Sequence, residues 1–165
     1  MSHVAGTFNQ GAAFDVNPVV WALLSRRGIS LRGVPASNLG LDPEPALLRD
    51  WNLQNLNSYW RQWAASPRTG RGTHHTVAWG VLGAPRLHCT ITTGEIVGKL
   101  AAGVYALEAF DSRWHPLINA ALSYWRDDER AKLPRSAVQR AAEFVLDVID
   151  NANRIRSSDS SEPTF

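Results

Sequence analysis

Toward the end of the chain, Val138, Ala141, Val145, Val148 and Ala152 recur at spacings of 3, 4, 3 and 4, behind a Ser136-Ala-Val-Gln139 segment that fits a capping box. A strand returns a side chain to the same face every second residue, so this pattern admits only a helix carrying one apolar stripe. A stripe of that kind must be covered by other elements, and the segments upstream say which.

Most of them are helical. Asn17-Pro18 reads as an N-cap with Pro at the first helical position, and Val19 to Arg27 then makes a short helix closed by Gly28. Asp42-Pro43 repeats the cap logic, and the helix behind it sets Leu53, Leu56, Trp60 and Trp63 on one face. Val77, Val81, Leu82 and Leu87 predict a helix that Pro85 should kink and Gly94 should end. Lys99 to Phe110, behind Gly98, and Pro116 to Arg126 are two more. Ile29-Ser-Leu-Arg32 alone alternates apolar and polar, and it predicts one short edge strand near the N-terminus. The expected fold is therefore mainly α, a bundle of five to six helices.

Composition narrows the function classes. A chain of 165 residues can bury a single well-formed core without staples, and Cys89 has no partner for a disulfide. The apolar runs, such as Val19 to Leu24, are far shorter than the ~20 residues of a membrane span, and no signal-like start opens the sequence, so a cytoplasmic location is expected. With 17 basic against 15 acidic residues, scattered along the chain, nothing points to nucleic acid. The seven Trp either fill a core or line a pocket.

Few residues carry the chemistry of a site on their own. The sequence holds no phosphate-binding Gly loop, zinc helix or nucleophile elbow. His74-His75 are adjacent and read as a solvated loop; His88-Cys89 reads as a core thiol beside a surface imidazole, and Arg86 as an ion-pairing surface residue. Asp127-Asp128-Glu129 reads as a solvated linker, and Ser157 to Phe165 as a disordered tail. Gly98-Lys99 is more informative. A Lys in the first turn opposes the helix dipole, and together with free N–H groups it can meet an anion such as phosphate; a plain solvated Lys is the other reading.

The run Val81-Leu82-Gly-Ala-Pro-Arg86, Thr93-Gly94-Glu-Ile-Val-Gly-Lys99, Ala101-Ala102, Trp114-His-Pro116 and Ala121-Leu-Ser-Tyr124 resembles, in order and spacing, the C-terminal helical domain of aminoglycoside adenylyltransferases acting on streptomycin and spectinomycin. Upstream, Phe14 to Leu24 and Leu31 to Pro35 resemble the stretch where that family's catalytic domain passes into its helical one.

The resemblance implies a domain that helps to bind ATP and drug. It assigns Gly98 and Lys99 to the nucleotide phosphates, Trp125 to an aromatic place near the nucleotide, and Trp63, His75 and Thr76 to the drug side. The Gly-Ser loop and Asp-x-Asp pair that would hold Mg²⁺ in the complete family do not occur in this sequence, so we expect neither ATP nor Mg²⁺ to bind tightly and no activity from the chain alone. The acidic residues that meet the cationic drug are replaced in the Gly72 to Thr76 region. The implied partner is a nucleotidyltransferase domain or chain, residues 1–35 being the junction and 36–156 the helical domain. An apolar patch at Phe14, Val19, Val20 and Trp21 then favours self-association. A non-enzymatic helical domain docked on a catalytic chain is the alternative reading. A helical RNase of the Arg68-to-His74 spacing is a third.

Overall fold

The computed structural model describes residues 2–4, 7–9, 16–66, 73–126 and 133–159, and the chain forms two compact units, Met1–Trp51 and Asn52–Phe165. It is mainly α, as the periodicities predict. Among the described residues no helix is long and apolar enough to cross a membrane.

In the first unit, β1 (Ser2–Val4) pairs antiparallel with β2 (Thr7–Asn9), His3 lying opposite Phe8. Helix α1 (Pro18–Arg27) begins as its sequence predicts: Asn17 Oδ1 accepts from the Val20 N–H at 3.0 Å. Gly28 closes it, and a Cβ there would come within 2.2 Å of the Leu24 carbonyl oxygen. The strand expected at Ile29–Arg32 does not form. The Ser30 hydroxyl donates to Val34 O and accepts from the Ala36 N–H, which folds the segment into a turn with Gly33 at φ 93°. Alternation without a pairing strand leaves Ile29 and Leu31 88% and 97% exposed. The hairpin arises instead where the sequence shows no alternation.

Val19, Val20 and Trp21 of the expected patch are half-buried on α1, and Phe14 lies outside the described residues. Asp42 does not cap a helix. Its carboxylate takes the Arg26 guanidinium at 3.0 Å, and α2 (Pro45–Asn55) starts later, with the Leu48 N–H donating to Glu44 O.

Helix α2 runs into a π-helical stretch, Leu56–Trp60, where the Arg61 N–H reaches back five residues to Leu56 O, and then into α3 (Arg61–Ala65). Asn57 Nδ2 and Ser58 Oγ donate to the Leu53 and Gln54 carbonyls, supporting the wider turn. Leu56 and Trp60 are buried, and Leu53 and Trp63 pack beside them, as their spacing predicts.

Helix α4 (Thr73–Thr93) is the axis of the second unit, buried at nearly every position from Val77 to Ile91. Against it pack α5 (Lys99–Ala109), α6 (His115–Trp125) and α7 (Arg135–Asp159). Pro85 sits inside α4 and has no N–H to donate to the Val81 carbonyl, while Gly94 at φ 75° ends the helix as expected.

The packing on one side of α4 has a distinct form. The Trp60 indole lies where a Gly83 Cβ would stand, 2.2 Å from it, and the Trp63 indole lies 2.1 Å from the corresponding point on Gly80. Two glycines three apart thus receive two tryptophans three apart. Ala141, Val145, Val148 and Ala152 of α7 are fully buried, as their spacing predicts. The capping box, however, is displaced: α7 starts at Arg135, behind Pro134, which puts Ser136 inside the first turn. The same helix reaches Asp159, past the point where composition suggests a tail; Ser157 Oγ donates to Asn153 O. Trp114 Nε1 donates to Asp147 Oδ2 at 2.7 Å and so ties the start of α6 to α7.

His88 is not at the surface. It is 3% exposed, with Nε2 2.9 Å from Asn151 Oδ1 and Nδ1 2.8 Å from the Tyr105 hydroxyl. An amide oxygen only accepts, so Nε2 carries the proton and Nδ1 accepts from Tyr105. A neutral imidazole thereby links α4, α5 and α7, and Thr92 extends the chain of bonds at 2.9 Å from Tyr105. Burial holds the His88 pKa below its ordinary value, the Asn151 bond opposing this weakly.

Two outcomes follow for stability. Gly83→Val forces two methyls into the Trp60 indole and should cost about 2 kcal/mol or more in denaturant unfolding. As pH falls through the ordinary histidine value of about 6.5, the unfolded chain takes up a proton that folded His88 refuses, so the native state loses stability on that side. Thermal melts should show a lower Tm at about pH 5.5 than at about 7.5, and His88→Gln should remove part of that difference.

Candidate functional site

The connection between α4 and α5 is held at three points. Thr90 Oγ1 lies 2.9 Å from Glu95 O, the Glu95 N–H donates to Thr93 Oγ1 at 3.1 Å, and Arg86 Nε donates to Val97 O at 2.9 Å. Arg86 is thus a half-buried tie rather than a surface ion-pairing residue. The three contacts fix where α5 begins.

Gly98 stands at its N-cap with φ −77° and brings no side chain. No side chain at the N-cap takes up the first-turn N–H groups of α5. Lys99 follows, and its ammonium lies over two indoles, 4.0 Å from the centre of Trp79 and 4.9 Å from that of Trp125. The Trp125 ring in turn lies 5.2 Å from His75, tilted by 31°, and Tyr124 meets His75 edge-on at 6.3 Å. Three helices converge here: α4 supplies His75, Trp79 and Arg86, α5 supplies Lys99, and the end of α6 supplies Tyr124 and Trp125.

Electrostatics sets this cluster apart. Burial holds the Lys99 ammonium below the ordinary lysine range, and the Arg86 charge adds to the effect. Burial also lowers the Arg86 guanidinium from its usual value. Two cations that the surroundings disfavour are kept near one another at a helix start. An anion entering between them relieves both penalties, and the dipole of α5 favours it too.

Of the residues that the sequence singles out, Lys99, Gly98, Trp125 and His75 come together. His75 and Thr76 are not in a loop: they form the first turn of α4, both exposed, since the helix starts at Thr73. His74 is no solvated loop residue either, because its Nδ1 accepts from the Leu133 N–H at 3.0 Å. Trp63 goes to the core side of α4, seated on Gly80 and 5.9 Å from Trp60. Gly72, Arg68 and the Asp127–Glu129 run lie outside the described residues.

Sequence reasoning passed over Trp79 and misjudged Arg86. Both were accessible through spacing: His75, Trp79 and Arg86 stand at i, i+4 and i+11 of one helix, a stripe apart from Val77, Val81 and Ala84. Among the described residues no group of three or more His, Cys, Asp or Glu could hold a metal ion, so this cluster by itself does not fit Mg²⁺.

The second unit is a helical bundle with this cluster of cations and aromatic rings where α4, α5 and α6 meet. A family model, described as aminoglycoside adenylyltransferase, C-terminal domain, matches residues 61–151, which is just over half of the chain and takes in every residue of the cluster. The chain belongs to that family. No curated protein and no solved structure matches it.

Proposed function

We propose that the helical unit is the nucleotide-binding half of an aminoglycoside adenylyltransferase-like protein. Lys99, Arg86 and the first-turn N–H groups of α5 take phosphate oxygens of ATP, and Trp125 stands beside the rest of the nucleotide. The observation that carries this reading is the Lys99 ammonium, half-buried over the Trp79 and Trp125 rings and near Arg86 at the start of α5. In the complete reaction Mg²⁺ would supply the clamp on the attacking and leaving oxygens. The carboxylates to hold it come, on this reading, from a nucleotidyltransferase domain or chain docked on the helical unit.

This chain's own part is to bind and orient phosphate. On the drug side it offers His75 and Thr76, neither of them acidic, so affinity for a cationic aminoglycoside is expected to be weak. A cytoplasmic setting, where ATP is plentiful, suits this role.

Calorimetric titration tests the proposal. ATP should bind with Kd on the order of millimolar, about 4 kcal/mol, and Lys99→Ala should weaken it about tenfold or more without lowering Tm. The purified chain should not transfer AMP from ATP to streptomycin or spectinomycin. ATP binding that is indifferent to Lys99→Ala would refute the assignment.

A further inference from the structure

Trp79 is 37% exposed on α4, outside the core cluster, and its indole face is the nearer of the two that meet Lys99. An exposed Trp is not there to fill the interior, and a lysine at a helix start is free by default to extend into water.

Two forces should drive Lys99 outward here. The α5 dipole repels a cation at this end, and so does the Arg86 guanidinium. The ammonium nevertheless lies back over the ring faces of Trp79 and Trp125, half-buried, where the negative faces of the aromatic quadrupoles compensate part of the lost hydration.

We infer that Trp79 is a positioning residue: with Trp125 it parks the Lys99 ammonium beside Arg86, so that an incoming polyphosphate meets two cations already in place. This rests on the nucleotide reading above for the identity of the ligand, while the parking itself does not depend on it. A parked lysine has lost its rotamer freedom before the anion arrives, so that loss does not weaken binding. Trp79 touches no phosphate on this account. It acts through Lys99, and any flat aromatic face at position 79 should do the same work in part.

The test uses the full chain with inorganic tripolyphosphate, which has no base to stack. Trp79→Leu removes the ring face, Trp79→Phe keeps a smaller one, and Lys99→Met serves as control, with thermal melts confirming that each variant is folded. Two quantities are read: the tripolyphosphate Kd, and the NMR position of the Lys99 Cε protons, which a ring face above them moves upfield. We expect the Lys99 signals to be upfield in the parent, to relax toward ordinary lysine positions in Trp79→Leu and to stay shifted in Trp79→Phe. Affinity should fall about three- to tenfold in Trp79→Leu and recover largely in Trp79→Phe.

Unshifted Lys99 protons in the parent, or a Trp79→Leu variant that binds tripolyphosphate as well as the parent does, would overturn the positioning role. A parent whose Lys99 protons are shifted but which binds no tripolyphosphate would overturn the nucleotide reading, and with it the ligand named here. If the parent, Trp79→Leu and Trp79→Phe bind equally while Lys99→Met does not, the nucleotide reading survives and the role of Trp79 is refuted.

Discussion

The seating of Trp60 on Gly83 and of Trp63 on Gly80 is the contact on which the second unit depends. It lets the α3 side of the structure approach the backbone of α4 with no Cβ between. Large rings over bare backbone bury much apolar surface in a small space, and they leave the remaining faces of α4 to α5, α6 and α7. A helix covered on so many sides cannot present a polar stripe along its length, and α4 has one only where cover is missing. His75 and Trp79 stand at such positions, and the half-buried Arg86 continues their stripe toward Lys99.

The polar interior follows the same logic. His88, Asn151, Tyr105 and Thr92 make one connected set of hydrogen bonds through the region where α4, α5 and α7 meet. A buried imidazole is tolerable because both ring nitrogens have partners. The set fixes the place of α5 relative to α4, as the ties at Thr90, Thr93 and Arg86 fix its first residue. Lys99 can then be held near Arg86 against their mutual repulsion because neither helix is free to yield.

Much of the fold was legible in the sequence wherever a helix has one apolar stripe. The face of α7 from Ala141 to Ala152, the caps of α1 and the Gly98 start of α5 all emerged from spacing and cap chemistry. Where tertiary contacts decided, the sequence misled. Ile29–Arg32 alternates but has no partner strand. Asp42 looks like a cap but is claimed by Arg26, and His88 looks like a surface residue because its partners at Tyr105 and Asn151 lie 17 and 63 positions away. The site was half visible: Lys99 stood out by its conflict with the helix dipole, whereas Trp79 conflicts with nothing locally and acquires meaning only when α5 is laid beside α4.

On the function proposed for it, the helical unit presents, as a folded body, one anion-accepting surface made by three helices. The most direct measurement is an amide NMR map of the chain titrated with ATP. Shifts should cluster at His75 to Trp79, at Val97 to Ala102 and at Tyr124 to Trp125, with the amides of α7 unmoved. Shifts centred on α7 or on the first unit, or spread evenly over the chain, would contradict it.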